Sequence, residues 1–300
     1  MKPGREYIYA LSAILFWGCL STCSKLITNS MDAINGLMYT CLYASIVLVI
    51  SNLKSGTLQR VVKTDGRVLV RMGVIGFLGV FAYNYFFLRG TEYLPAQEAL
   101  VINDLWPALV IIFSCFILKE RMTLGKAIAI ILSLLGIVVV ATNGDVLGFR
   151  LRSVTGTLFM VSAAVCYALY SVLTKKETYD KGMAVLVAYV SGTVMSLIIL
   201  LINGTLIMPS FKEHLGLAFN GILCNAIAYL FWAIALDNGS TAIIANLAYL
   251  VPFVSLLVTH FVLGEEITVA SVVGLLLIIA GIGLQIAAEK LMGRKSTKNS

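Results

Sequence analysis

Charge is what this chain has least of. Asp, Glu, Lys and Arg together make up 12% of its 300 residues, and only two histidines and five prolines accompany them. A soluble domain could not cover its surface with so few charges, so a soluble enzyme or scaffold is excluded. No polar or charged run is long enough to form a separate domain outside the apolar stretches. Walker-type phosphate loops, paired metal-protease histidines, nucleophile elbows and dinucleotide fingerprints are all missing from the contexts they require, so no enzyme and no cofactor is expected. The formal charge of +7 carries no compact basic face with interleaved aromatics, and no nucleic-acid partner is expected either. All six cysteines, Cys19, Cys23, Cys41, Cys115, Cys166 and Cys224, lie in apolar stretches, where a thiol packs as a small apolar group. Cys19 and Cys23 are one helical turn apart, but no His or carboxylate joins them on that stretch, which favours packing over a metal site.

What fills the chain instead is hydrophobic: 59% of residues, with a mean hydropathy of +0.94. A bilayer core takes about 20 apolar residues per helix. Stretches of that kind fall near 7–27, 32–52, 69–90, 95–117, 123–141, 154–175, 183–203, 215–237, 241–262 and 268–288. The expected fold class is therefore an all-α polytopic membrane protein with ten transmembrane helices. The first stretch, after Lys2 and Arg5, is read as a span and not as a signal peptide, because equally long stretches follow it. Of 22 Lys and Arg, only Lys25, Arg89, Arg150, Arg152 and Lys212 fall on the side away from the termini. Positively charged loops stay inside. Both termini are thus expected in the cytoplasm, with residues 289–300 forming a cytoplasmic tail.

The two halves repeat. An offset of 145 carries Gly76 to Gly221, Leu105 to Leu250, Pro107 to Pro252, Glu120 to Glu265, Thr123 to Thr268 and Gly136 to Gly281, and an offset of 150 carries Trp17 to Tyr167, Ser21 to Ser171 and Lys25 to Lys175. Five spans per half is an odd number, so the second copy must enter the membrane from the opposite side. That predicts inverted repeats over 7–141 and 154–288, a layout in which secondary transporters place a substrate site near the midplane.

The run from Pro107 to Glu120 and Thr123, its second copy from Pro252 to Glu265 and Thr268, and the glycines Gly136 and Gly281 resemble the paired EamA-type modules of the drug/metabolite transporter superfamily. The segment Glu98 to Pro107, with Asn103, Leu105, Trp106 and Pro107, is similar to the bacterial aromatic amino acid exporters of that superfamily, although this chain has Asp104 where they commonly have an aromatic. The resemblance implies a ten-helix bundle in an inner membrane with a central cavity that opens alternately to either side, and a small-molecule substrate.

Residue chemistry names candidates for lining that cavity. Asn103 and Asp104 lie in the fourth stretch, where a buried charge is costly and is usually turned to a cavity or a partner. Asp104 is the first candidate for proton coupling. Glu98 is the second, with snorkelling to outer water as its alternative. At about 100° per residue, Trp106 falls nearly opposite Asp104, so both can face protein only if the helix is central or reoriented at Pro107. Pro107 and Pro252 are hinge candidates, with a fixed packing bend as the alternative. Trp17 and Tyr167, Tyr83 and Asn84, Asn225 and Tyr229, and Asn246 and Tyr249 supply phenols, amides and rings able to hold an amino acid, though each alone could equally bridge two helices. Lys25 and Lys175 are expected at lipid headgroups, and Glu120 and Glu265 are expected to brace the helices that follow them. The function expected is secondary transport of small metabolites by alternating access, with export of aromatic or bulky apolar amino acids favoured. A carrier for a purine, sugar or quaternary compound, and a channel, remain as alternatives.

Overall fold

The computed structural model describes residues 4–19, 31–54, 63–94, 102–142, 144–145, 153–263 and 267–298, and the chain is all-helical across them. The first span is Arg5–Gly18 and the second Ala33–Lys54. The third runs through Gly66–Gly76, Phe77–Ala82 and Tyr83–Tyr93, and the fourth contains Trp106–Ile117. Leu124–Ala141, Val154–Lys176 and Lys181–Asn203 are the fifth, sixth and seventh. The eighth joins Phe211–Phe219, Asn220–Ile227 and Ala228–Asn238; the ninth joins Thr241–Leu247, Ala248–Leu250 and Val251–Leu263; the tenth is Val269–Lys298. Side chains start several of them by accepting the free amide hydrogens of the first turn: Asp65 from Arg67, Ser153 from Gly156, Asp180 from Met183, and Ser210 from Glu213 in a reciprocal capping box. The second, third, sixth, seventh and eighth spans are each long and apolar enough to cross a membrane unaided. Large apolar side chains such as Ile8, Val70, Phe116, Ile202 and Phe261 face outward, the surface a bilayer requires.

Helix pairing repeats under the sequence offset. The first span packs on the eighth and ninth, and its equivalent, the sixth, packs on the third and fourth. The second packs on the eighth as the seventh does on the third, while second and seventh, fourth and ninth, and fifth and tenth pair with each other. The last pairing shows the equivalence atom by atom. A Cβ at Gly136 would lie 2.6 Å from the Gly274 carbonyl oxygen, and one at Gly281 would lie 3.1 Å from that of Ala129. Glycine at these two positions lets one backbone touch the other, the close approach that holds helices together where no hydrophobic effect operates between them.

Irregular backbone is also placed in register. Hydrogen bonding widens to the π pattern over Phe77–Ala82 in the third span and over Asn220–Ile227 in the eighth. The fourth span is interrupted by a turn at Asp104 and Leu105, and the ninth tightens into a 3-10 turn over Ala248–Leu250. The cause of the second pair is Pro107 and Pro252. Each lacks the amide hydrogen that would bridge back to the preceding turn, so each sits in the first turn of a new helical segment, just after the break. Nothing in the sequence marks the π segments. π-Bulges gather at functional sites, and they occur here on the helices that bear Tyr83, Asn84, Asn225 and Tyr229.

One end of the bundle gathers Glu6, Glu120, Lys175 and Gly239, and the other gathers Asp32, Asn35, Thr205 and His214. The largest buried cluster runs from the first span to the ninth and draws on both halves, so the two repeats share one core.

Candidate substrate site

At the centre of that core six aromatic side chains meet. Trp17 of the first span lies 6.0 Å from Trp106, 6.0 Å from Tyr167, 6.1 Å from Tyr229 and 5.3 Å from Trp232, measured between ring centroids. Trp106 and Tyr167 approach to 4.9 Å edge to face, and Tyr83 closes the group at 5.0 Å from Tyr167. Edge-to-face pairs at such separations each add about 0.5–1.5 kcal/mol beyond their buried area. Trp232 is fixed by its indole hydrogen, donated to Ser171 Oγ at 3.2 Å. The sequence offered Trp17, Tyr83, Trp106, Tyr167 and Tyr229 separately; their convergence from both halves is a product of the fold.

Beside the rings, at the break in the fourth span, lies a polar cluster. Tyr83 hydrogen-bonds Asn103, and both Tyr83 and Tyr249 of the ninth span lie within electrostatic reach of Asp104. Trp106 packs among the rings while Asp104 lies near the two tyrosines, so the fourth span meets protein on both faces at its break. Asn103 Oδ1 and the Tyr167 hydroxyl are buried without a hydrogen-bond partner among the described residues. An unsatisfied buried polar atom costs about 1–3 kcal/mol, which is the deficit a ligand can remove.

Other candidates are occupied by the π segments. Widened turns expose carbonyls that need donors. Tyr229 donates its hydroxyl hydrogen to Gly79 O at 3.2 Å, Asn84 Nδ2 donates to Val80 O at 2.6 Å, and Asn225 Nδ2 donates to Asn220 O at 3.0 Å while its Oδ1 accepts from Tyr189 at 3.1 Å. These three polar groups act here as helix-to-backbone braces, although the Tyr229 ring still belongs to the aromatic group. Asn246 is fully buried in the ninth span. Glu98 lies outside the described residues, as do Lys25 and Glu265.

Two expectations change among the described residues. Where the family resemblance implied a central cavity, rings from both halves pack against one another at 4.9–6.1 Å; a cavity of about 160 Å³ lies between the second and third spans, lined by Ala33, Leu37, Phe81 and Arg89 and by none of the candidates. Lys175 does not reach for headgroups. Its ammonium donates to Gly239 O at 2.9 Å and to Thr241 Oγ1 at 2.7 Å, and stands 3.9 Å from Glu120. The polar groups of the connections outcompete lipid because they are already fixed at bonding distance.

Both halves of the chain, residues 4–142 and 154–286, match the model of the EamA-like transporter family. The chain belongs to that family. It is a multi-pass membrane transporter and not an enzyme. An uncharacterized transporter of Clostridium kluyveri is 26% identical over 298 residues, covering 97% of this chain and 95% of its own. The aromatic amino acid exporter YddG of Ancylobacter novellus is 25% identical over 86% of this chain and 88% of its own, and a probable terminal-alkyne amino-acid exporter of Streptantibioticus cattleyicolor is 28% identical over 76% of each. A solved crystal structure superposes with a TM-score of 0.84 at 23% identity, over 96% of this chain and 98% of that one, which is a likeness of fold.

Proposed function

We propose that this EamA-like transporter carries amino acids with aromatic or bulky apolar side chains out of the cell, by alternating access between a first repeat at 7–141 and an inverted second repeat at 154–288. The observation that carries the reading is the aromatic group shared by both repeats and set against a polar helix break. A zwitterion with a large side chain needs both. Its ammonium would pair with the Asp104 carboxylate and donate to Asn103 Oδ1, its carboxylate would accept from the Tyr167 hydroxyl, and its side chain would replace ring contacts among Trp17, Trp106 and Tyr229. The name of the Ancylobacter novellus relative supports the substrate class, and the excess of Lys and Arg on the side of the termini supports an inner-membrane protein with both termini cytoplasmic.

Asp104 is the coupling residue in this reading, because a carboxylate that shares a pocket with an ammonium can exchange it for a proton. Pro107 and Pro252 are the points about which the fourth and ninth spans move, since the breaks before them already lack a backbone hydrogen bond. Counterflow in liposomes tests the reading. Labelled tryptophan and phenylalanine are expected to enter preloaded vesicles faster than threonine and far faster than into empty liposomes. Flux of none of these amino acids would remove the assignment, and saturable flux of a purine, sugar or quaternary compound would replace it.

A further inference from the structure

We infer that Glu120 is the latch that closes the cytoplasmic end of the substrate site, by holding together three of the helices that bear it. This rests on the alternating-access reading and adds the device that decides which side the site faces. Glu120 follows the fourth span, and its carboxylate gathers four elements. Oε1 accepts from the Thr241 hydroxyl at 2.6 Å, at the start of the ninth span. Oε2 accepts from Lys126 of the fifth span at 3.2 Å and from Ser114 of the fourth at 3.3 Å. Lys175, at the end of the sixth span, stands 3.9 Å from Oε1 and donates to both Thr241 and the Gly239 carbonyl.

The fourth, sixth and ninth spans are those that carry Asp104, Tyr167 and Tyr249. On the sixth span Lys175 lies eight residues beyond Tyr167, about 12 Å along the axis at 1.5 Å per residue. Separating these helices at this end therefore requires the Glu120 carboxylate to give up its partners. The neighbouring contacts do not substitute for it: Lys181 pairs with Asp237 at 3.1 Å and Arg71 with Glu177 at 3.4 Å, which join the seventh span to the eighth and the third to the connection after the sixth. At the opposite end, the described contacts run from Asn35 to Thr205 and from Tyr43 to His214, between the second span and the seventh and eighth. The Glu120 carboxylate thus joins the fourth span of the first repeat to the sixth and ninth of the second.

Ala245 is fully buried in the ninth span, between Thr241 and the polar cluster, and reports on this end. The test is Ala245→Cys in an otherwise cysteine-free chain, labelled with a membrane-impermeant maleimide in vesicles of known orientation. Glu120→Ala is expected to raise the labelling rate from the cytoplasmic face at least about tenfold, the order expected for losing a charge-assisted hydrogen bond, with no rise from the other face. Lys175→Met is expected to raise it as well. Should Glu120→Ala unfold the protein, Thr241→Val removes a single hydroxyl and carries the same expectation. An unchanged rate, or an equal rise from both faces, overturns the latch. Because labelling needs no substrate, a latch that responds while amino acid counterflow is absent would fault only the substrate assignment.

Discussion

Trp17 and Tyr167 occupy equivalent positions in the two repeats and touch each other, edge to face, with centroids 6.0 Å apart and ring planes at 79°. Two residues related by a repeat axis can meet only beside that axis. On the inverted-repeat reading proposed above, the axis lies in the membrane plane and this contact stands where a solute would be equally far from both faces. The rings around it are not symmetric, because Trp106 corresponds to Val251 and Tyr229 to Asn84. Departure from the repeat at its axis is what gives the site a ring-lined side and a polar side.

Replacing Trp17 tests that contact. Trp17→Phe keeps a ring beside Tyr167 and is expected to hold tryptophan counterflow within about tenfold of the parent, a loss of the size of one or two ring contacts. Trp17→Ala empties the axis and is expected to abolish counterflow and to cost roughly 3–5 kcal/mol of stability, read as a lower melting temperature in detergent.

Asp104→Asn separates binding from coupling. The amide keeps the volume and an acceptor oxygen but loses the charge that pairs with the ammonium and the exchangeable proton, so phenylalanine counterflow is expected to persist at a raised half-saturating concentration while transport driven by a pH gradient falls to the gradient-free rate. Gradient-driven transport equal to that of the parent would take Asp104 out of the coupling role.

Packing of the fifth and tenth spans ranks three substitutions. A methyl at Gly136 meets a backbone oxygen at 2.6 Å, one at Gly281 meets an oxygen at 3.1 Å, and one at Gly283 meets nothing within 4 Å. Thermal unfolding should show Gly136→Ala as the most destabilised, by about 1–3 kcal/mol, Gly281→Ala less, and Gly283→Ala unchanged.

The fold class and the family were legible in the chain because they depend on span length and on two copies in register. Contacts through space were not. Glu120 was expected to brace the helix after it, and it does pair with Lys126, but its bond to Thr241 joins residues 121 apart and leaves no local pattern. Lys175 was misplaced for the same reason. The roles of Asn84, Asn225 and Tyr229 as backbone donors depend on the π segments, which residue identity does not announce. Trp106 and Asp104, on nearly opposite faces of an ideal helix, both meet protein because the span is enclosed at the level of its break, although Phe116 further along faces outward.

Acid should weaken the latch. Burial alone would raise the Glu120 pKa, but the Thr241 hydroxyl and the ammonium groups of Lys126 and Lys175 outweigh it and hold the carboxyl below its ordinary value of 4.5. A depressed acid stabilises the folded, latched form in full above the ordinary value and loses that contribution as pH falls through the depressed one. The melting temperature of the parent is therefore expected to exceed that of Glu120→Gln at neutral pH, and the difference should shrink only below about pH 4.5.

The site itself is tested most directly by protection of Asn103. In a cysteine-free background, Asn103→Cys is labelled with a small thiol reagent from each face of the membrane, with and without phenylalanine. Phenylalanine is expected to slow labelling from either face, with half-protection near the concentration that half-saturates counterflow in the same variant. Labelling that proceeds at an unchanged rate while the variant is transporting phenylalanine would place the substrate path away from the aromatic group and contradict the site described here.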